Sequence, residues 1–187
     1  MLGSVTVNVV LRPAADHPEL LAAPTAKALA EHATVLPLPE IQVGAIDPAL
    51  ADTAAFCAEY GVGLDESANC VVVAAKRAGQ TTYAACLVLA TTRADINGLA
   101  RRHLGARKIS FALMDEAVAL TGMEYGGINP LGIPADWPVL VDEAVAAGDR
   151  LVIGSGIRGS KLLVTGAFLA ALPNAEVLPI ARRLNDS

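Results

Sequence analysis

The sequence predicts a single α+β domain with a mixed, curved sheet flanked by helices, and three observations point there. Stretches of strand and helix character interleave along the 187 residues. Two apolar runs, Cys70–Ala75 and Tyr83–Ala90, flank a polar link containing Gly79, a hairpin signal that rules out strict βαβ repetition. Between a helix and a strand lies Met123–Pro134, reading MEYGGINPLGIP. Neither a helix nor a sheet can absorb it, because proline lacks an amide donor and glycine costs backbone entropy.

Taken in order, Thr6–Leu11 reads as a short strand or ordered arm. Glu19–Glu31 carries an imperfect helical stripe with Pro24 in its first turn, where proline is tolerated. Thr34–Ile46 is extended and broken by Pro37 and Pro39. Asp47-Pro48 is a helix start, an Asx cap followed by proline, and that helix runs through Phe56 and Cys57 to Gly61. After the hairpin, Thr92-x-x-Asp95 resembles a capping box opening a helix through Leu99 and His103 to Gly105. Lys108–Ala112 is a strand and Asp115–Leu120 a helix stopped by Gly122. Beyond the central loop, Pro138–Asp142, Leu151–Ile153 and Leu162–Val164 are strands, Gly166–Leu172 is the last helix, and Glu176–Ile180 closes the sheet before a polar tail.

Composition narrows the function. The longest apolar run is eight residues, Tyr83–Ala90, against the roughly 20 a spanning helix needs, so a soluble protein is expected despite a mean hydropathy of +0.47. Met1–Leu11 lacks a basic start, an apolar core and a cleavage site, so no signal peptide is expected. Cys57, Cys70 and Cys86 show no C-x-x-C spacing and fit a reducing cytoplasm. Net charge is −5 with no basic block, which argues against a broad nucleic-acid footprint but leaves contact with a nucleic-acid end open. His17, His32 and His103 lie outside zinc-type spacing, so neither metal nor cofactor is expected.

Two glycine-bearing turns are the candidate chemistry. The Gly126–Pro134 stretch reads either as an ordered turn or as a nest of backbone amides facing an anion or carbonyl. Gly154-Ser155-Gly156-Ile157-Arg158-Gly159 superficially matches a dinucleotide fingerprint, yet a strand follows it rather than the long helix that fingerprint needs. It reads better as a glycine-rich hairpin bringing amides to a pocket, with Arg158 its one permanent cation. Ser155 reads as a hydrogen-bonding turn residue, and Asp142 as a strand-end carboxylate beside the loop.

Leu120-Thr121-Gly122-Met123, Gly126–Gly132, Val139–Asp142 and Gly154–Gly159, in that order and spacing, resemble the YbaK/EbsC family. These are aminoacyl-tRNA deacylases related to the editing domain of prolyl-tRNA synthetase, and the likeness covers about Asp47 to Ile180. It implies a metal-free α+β domain with a barrel-like sheet that hydrolyses the ester joining a wrong amino acid to the tRNA 3′ end. With the helical stripe at Glu19–Glu31, this gives an expected N-terminal segment, 1–46, whose one helix packs on an editing domain at 47–187. The family's G-x-x-x-P loop falls on Gly126, Gly127, Ile128, Asn129 and Pro130, continuing into Leu131 and Gly132. Its second turn is Gly154, Ser155 and Gly156 with Arg158, and Asp142 lies between the two.

One departure stands out. The family carries a lysine at the start of the first core strand, where this chain has Asn69, or Ala68 if the register slips by one. An amide hydrogen bond is about half as strong as a charge-assisted one, and the loss is on the order of 2–4 kcal/mol of transition-state stabilisation. Two lysines are candidates to replace it: Lys76 is disfavoured, lying roughly 23 Å along the strand at about 3.3 Å per residue, and Lys161 follows the second turn.

The expected function is therefore a trans-editing deacylase in the cytoplasm. Its partners would be the 3′ end of aminoacyl-tRNA and an aminoacyl-tRNA synthetase. Asn69, Gly126 and Gly127 are its catalytic candidates. The alternative is a catalytically weakened module that binds an aminoacyl or nucleotide-like ligand, or a synthetase.

Overall fold

The structure is a computed structural model and describes residues 8–32 and 41–184. Thr6 and Val7, most of the extended Thr34–Ile46 segment with Pro37 and Pro39, and the last three residues of the tail lie outside the described residues.

The strands are β1 (Arg12–Pro13), β2 (Gln42–Ala45), β3 (Ala68–Arg77), β4 (Gln80–Leu89), β5 (Thr92–Ala94), β6 (Lys108–Phe111), β7 (Val139–Asp142), β8 (Leu151–Gly154), β9 (Ser160–Val164), β10 (Ala175–Leu178) and β11 (Ala181–Arg183). The helices are α1 (Ala23–His32), α2 (Thr53–Tyr60), α3 (Arg101–His103), α4 (Met114–Thr121), α5 (Glu143–Ala146) and α6 (Gly166–Ala170).

This is a mixed α+β domain. One sheet runs β10-β7-β4-β3-β6 and a second β1-β2-β9-β8, with a β11-β5 ribbon beside them. The first two sheets meet at an isolated bridge between Ser67 and Val152. The chain thus bends around one large core, where Leu87, Leu131, Val139, Val141, Leu151 and Leu162 have almost no exposed surface. β3 and β4 pair antiparallel from Ala68↔Leu89 to Arg77↔Gln80. Ala78 and Gly79 make the two-residue turn, both at positive φ (50° and 80°), as a tight hairpin requires.

Several boundaries differ from the sequence reading, each for a local reason. The helix expected from Asp47 divides into a 3₁₀ turn, Pro48–Leu50, capped by the Asp47 carboxylate, and then α2, which ends at Gly61 with φ of 70°. Thr92 does not cap a helix. It lies in β5, drawn into a ladder with β11, and Asp95 alone accepts from the Gly98 and Leu99 amides. The tail after Ile180 is accordingly a strand at Ala181–Arg183. Beyond the strand-end Asp142, Glu143–Ala146 forms the short α5, which the Asp142 carboxylate caps.

Candidate active site

The two glycine turns lie against each other. Gly156 N–H donates to Gly127 O at 2.7 Å and Glu124 N–H to Gly156 O at 2.8 Å. The contact is backbone on backbone. A Cβ on Gly154 would sit 2.3 Å from Gly127 O, and one on Gly127 would sit 2.7 Å from Ile157 O. Gly156, at φ of 90°, leaves space that Ala22 and Thr25 fill from the start of α1. Substitution in these turns would force them apart, because backbone atoms cannot rotate away.

Beneath the turns is a closed polar hub. The Asn129 amide donates to Thr25 Oγ1 (3.0 Å) and its Oδ1 accepts from Leu131 N–H (2.8 Å). Ser155 Oγ lies 2.7 Å from Ser160 Oγ, and Ser160 Oγ donates to Leu20 O (2.5 Å). Asn129, Leu131, Ser155 and Thr25 have no exposed surface, so the candidates Asn129, Leu131 and Ser155 brace the loop and do not line the cavity beside it. Pro130 and Gly132 lie with them away from the cavity, Gly132 pressed against Pro24 O.

Beside the hub, at the seam of the two sheets, is a cavity of about 370 Å³. Ser67 and Val152, the bridge between the sheets, both line it. Its apolar wall is Ala68, Cys70 and Val72 from β3, Ala112 before α4, Ala117, Ile128 and Ile153. Its polar wall is Asp52, Thr53, Asn69 and Lys161, with Gly126 and Gly154 between. Phe111, Met114 and Tyr125 are more than half exposed at the rim.

Of the sequence candidates, Asn69, Gly126, Ile128 and Gly154 line this cavity. Asn69 Oδ1 accepts from Thr53 Oγ1 at 2.6 Å, which leaves the two N–H donors of its amide. Gly127 N–H is committed to Glu124 O; among the described residues, the N–H groups of Gly126 and Ile128 have no protein acceptor. Arg158 is not on the cavity lining and bolts the second turn to its neighbours. Its guanidinium donates to Pro48 O and Tyr125 O, both at 3.2 Å, and pairs with Asp52 at 3.5 Å. Asp142 is elsewhere, its oxygens accepting from Ala144 and Ala181 N–H to tie α5 and β11.

Lys161 reaches the cavity from β9, whereas Lys76 is an exposed residue at the distant end of β3. Lys161 Nζ donates to Ala51 O at 2.7 Å and lies 5.4 Å from the Phe56 ring centre. Burial lowers its pKa from the ordinary lysine value; Arg158 adds to the shift, while Cys57 and Asp52 oppose it. Burial raises the pKa of all three thiols, that of Cys86 to about 12. They stay protonated at neutral pH and are poor nucleophiles. Among the described residues no cluster of three metal-ligating side chains occurs.

Sequence reasoning missed Asp52, Thr53 and the Phe111–Met114–Tyr125 rim. Tyr125, placed directly before the paired glycines, was the one visible signal, an exposed aromatic inside a turn.

Comparison with solved structures agrees on the fold. A protein described as a candidate trans-editing enzyme for prolyl tRNA synthetase superposes with a TM-score of 0.70 at 20% identity, covering 86% of this chain and 98% of that one. A hypothetical protein gives 0.71 at 20% identity, over 83% and 99%. A scaffold from computational epitope grafting gives 0.72 at 20% identity, over 86% and 97%. A family model, aminoacyl-tRNA editing domain, matches residues 47–172, which span both glycine turns and most of the cavity wall. The chain belongs to the aminoacyl-tRNA editing domain family, the YbaK-type group that its glycine turns resemble.

Proposed function

We propose that the protein is a trans-editing deacylase that hydrolyses the ester of a mischarged tRNA. The observation that carries this reading is the seating of two glycine turns, backbone against backbone, beside a cavity of about 370 Å³. That volume is near the small end of ligand pockets, roughly 300–1,000 Å³. It suits one aminoacyl group attached to a ribose, with the apolar wall of Cys70, Val72 and Ile128 selecting a small side chain.

In this reading the acyl group enters past Tyr125, and the N–H groups of Gly126 and Ile128 meet its carbonyl with the Asn69 amide beside them. Water adds to the carbonyl carbon, and the carbon–oxygen ester bond then breaks. The amino acid leaves as its carboxylate; one water proton passes to the ribose oxygen, restoring the tRNA hydroxyl, and the other is released to solvent. Preset donors around a developing oxyanion contribute about 100- to 1,000-fold each in comparable sites. Only the tRNA end need enter, which is compatible with a net charge of −5. A synthetase partner and a cytoplasmic location follow from the same reading.

Residues 47–187 are assigned as the editing domain and 1–46 as a segment that packs its helix on it. The burial of Leu21, Ala22, Ala28 and Leu29 in the main core supports that arrangement.

The test is release of amino acid from a panel of mischarged tRNAs; release no faster than in buffer for every member defeats the reading. Asn69 favours a second one, a pocket that binds without hydrolysing. Hydrolysis that appears only in Asn69→Lys would establish it.

A further inference from the structure

β9 places Lys161 opposite Gly44 on β2 and Gly154 on β8, so neither cross-strand neighbour has a side chain to crowd it. Val9 fills the space over Gly44 and the Gly127–Ile128 backbone that over Gly154; past them the lysine stem reaches Phe56, and its ammonium arrives beside Ala51, at the polar wall. An ammonium has three donors. Ala51 O takes one and the Phe56 face takes charge but no hydrogen bond of ordinary strength. Asp52, the other charged residue on the cavity lining, is 72% exposed and paired with Arg158. A sheltered ammonium costs stability unless it is paired, and a methionine would cover Phe56 without that cost.

We propose that Lys161 is a catalytic residue whose ammonium donates to the acyl carbonyl oxygen of the bound ester and stabilises it as it becomes an oxyanion. The polar wall that carries Asn69 thereby also carries a cation for the oxyanion. This rests on the deacylase reading and adds a charged group to its backbone donors.

The experiment compares wild type, Lys161→Met and Lys161→Arg in single-turnover deacylation. Binding of an amide-linked 3′-alanyl-adenosine is followed in parallel by calorimetry. Lys161→Met should slow deacylation about 100-fold with its melting midpoint no lower than wild type, and Lys161→Arg should recover part of the loss. Corrected for spontaneous ester hydrolysis, the wild-type rate should fall as pH rises through the lowered lysine pKa, set by burial with Arg158, Cys57 and Asp52 facing the ammonium. The methionine variant should lack that limb.

A methionine variant with the wild-type rate and pH profile overturns the proposal and leaves the deacylase reading intact. If wild type hydrolyses none of the panel, the deacylase reading fails, and the adenosine amide decides the carbonyl contact. Binding that Lys161→Met weakens tenfold or more upholds that contact; equal binding, or none by wild type, overturns it.

Discussion

The hub under the glycine turns and the cavity wall beside it are neighbours built from similar residues, yet they differ in how many hydrogen-bonding positions are filled. In the hub, Asn129 uses both ends of its amide and Ser155 and Ser160 bond each other. Along the wall, among the described residues, Asn69 keeps its N–H donors, Lys161 uses one of three, and the Gly126 and Ile128 amides have no protein acceptor. Closed polar networks rigidify a fold, while open donors await a partner. In the proposed reading, the difference separates residues that shape this site from residues that would meet its ligand, although both kinds sit in the same sequence motifs.

The largest expected effect comes from striking the contact between the two turns, above the hub, where no side chain can yield. Gly154→Ala places a methyl 2.3 Å from Gly127 O and 3.0 Å from Ile128 O. Overpacking of this kind typically costs about 1–3 kcal/mol and can exceed that; against backbone, about 3 kcal/mol is expected in urea unfolding. The turns would also separate, and deacylation would fall with stability. Unchanged stability would mean that the turns are loosely joined and that the comparison between hub and wall fails.

A smaller effect tests the network rather than the packing. Asn129→Ala leaves Leu131 N–H without its acceptor and removes the donor to Thr25. A buried group left unsatisfied costs about 1–3 kcal/mol, so about 2 kcal/mol of stability should be lost. Because Asn129 lies outside the cavity, the ratio of deacylation rates between a small and a large acyl group should remain that of wild type. A shifted ratio would place Asn129 among the ligand-facing residues instead.

The hub was partly legible. Glycine and proline chemistry alone marks Gly126–Pro134 as a fixed turn, and the apolar runs and Gly79 give the β3–β4 hairpin. Thr25 was hidden, because it bonds Asn129 across 104 residues of sequence and an isolated threonine in a helix carries no sign of that. Thr92 misled for a related reason: its local pattern fits a cap, but a partner strand at Ala181–Arg183 outcompetes it. Asp142 sits in a recognisable motif and proves fully occupied in tying α5 to β11. Lys161 was the reverse case. Its place in the cavity depends on glycines across two strands, at 44 and 154, and on a helix that brings up Phe56.

The smallest effect bears on the wall, and its sign carries the information. Burial depresses the Lys161 pKa in the folded protein, so the unfolded chain binds that proton more tightly. Stability should then rise with pH from the depressed value up to about 10.4, the unperturbed lysine pKa. Lys161→Met removes the titrating group and should flatten this rise, with its advantage over wild type greatest near neutral pH and gone at the alkaline end. Thermal unfolding of both proteins between pH 7 and 10 measures it. A methionine variant that is less stable than wild type at neutral pH would make Lys161 a structural strut like Arg158, and the wall would then differ from the hub in degree only. A variant that is equally or more stable but slow identifies a charge kept for the ligand, because residues selected for function often sit where the fold alone would prefer another side chain.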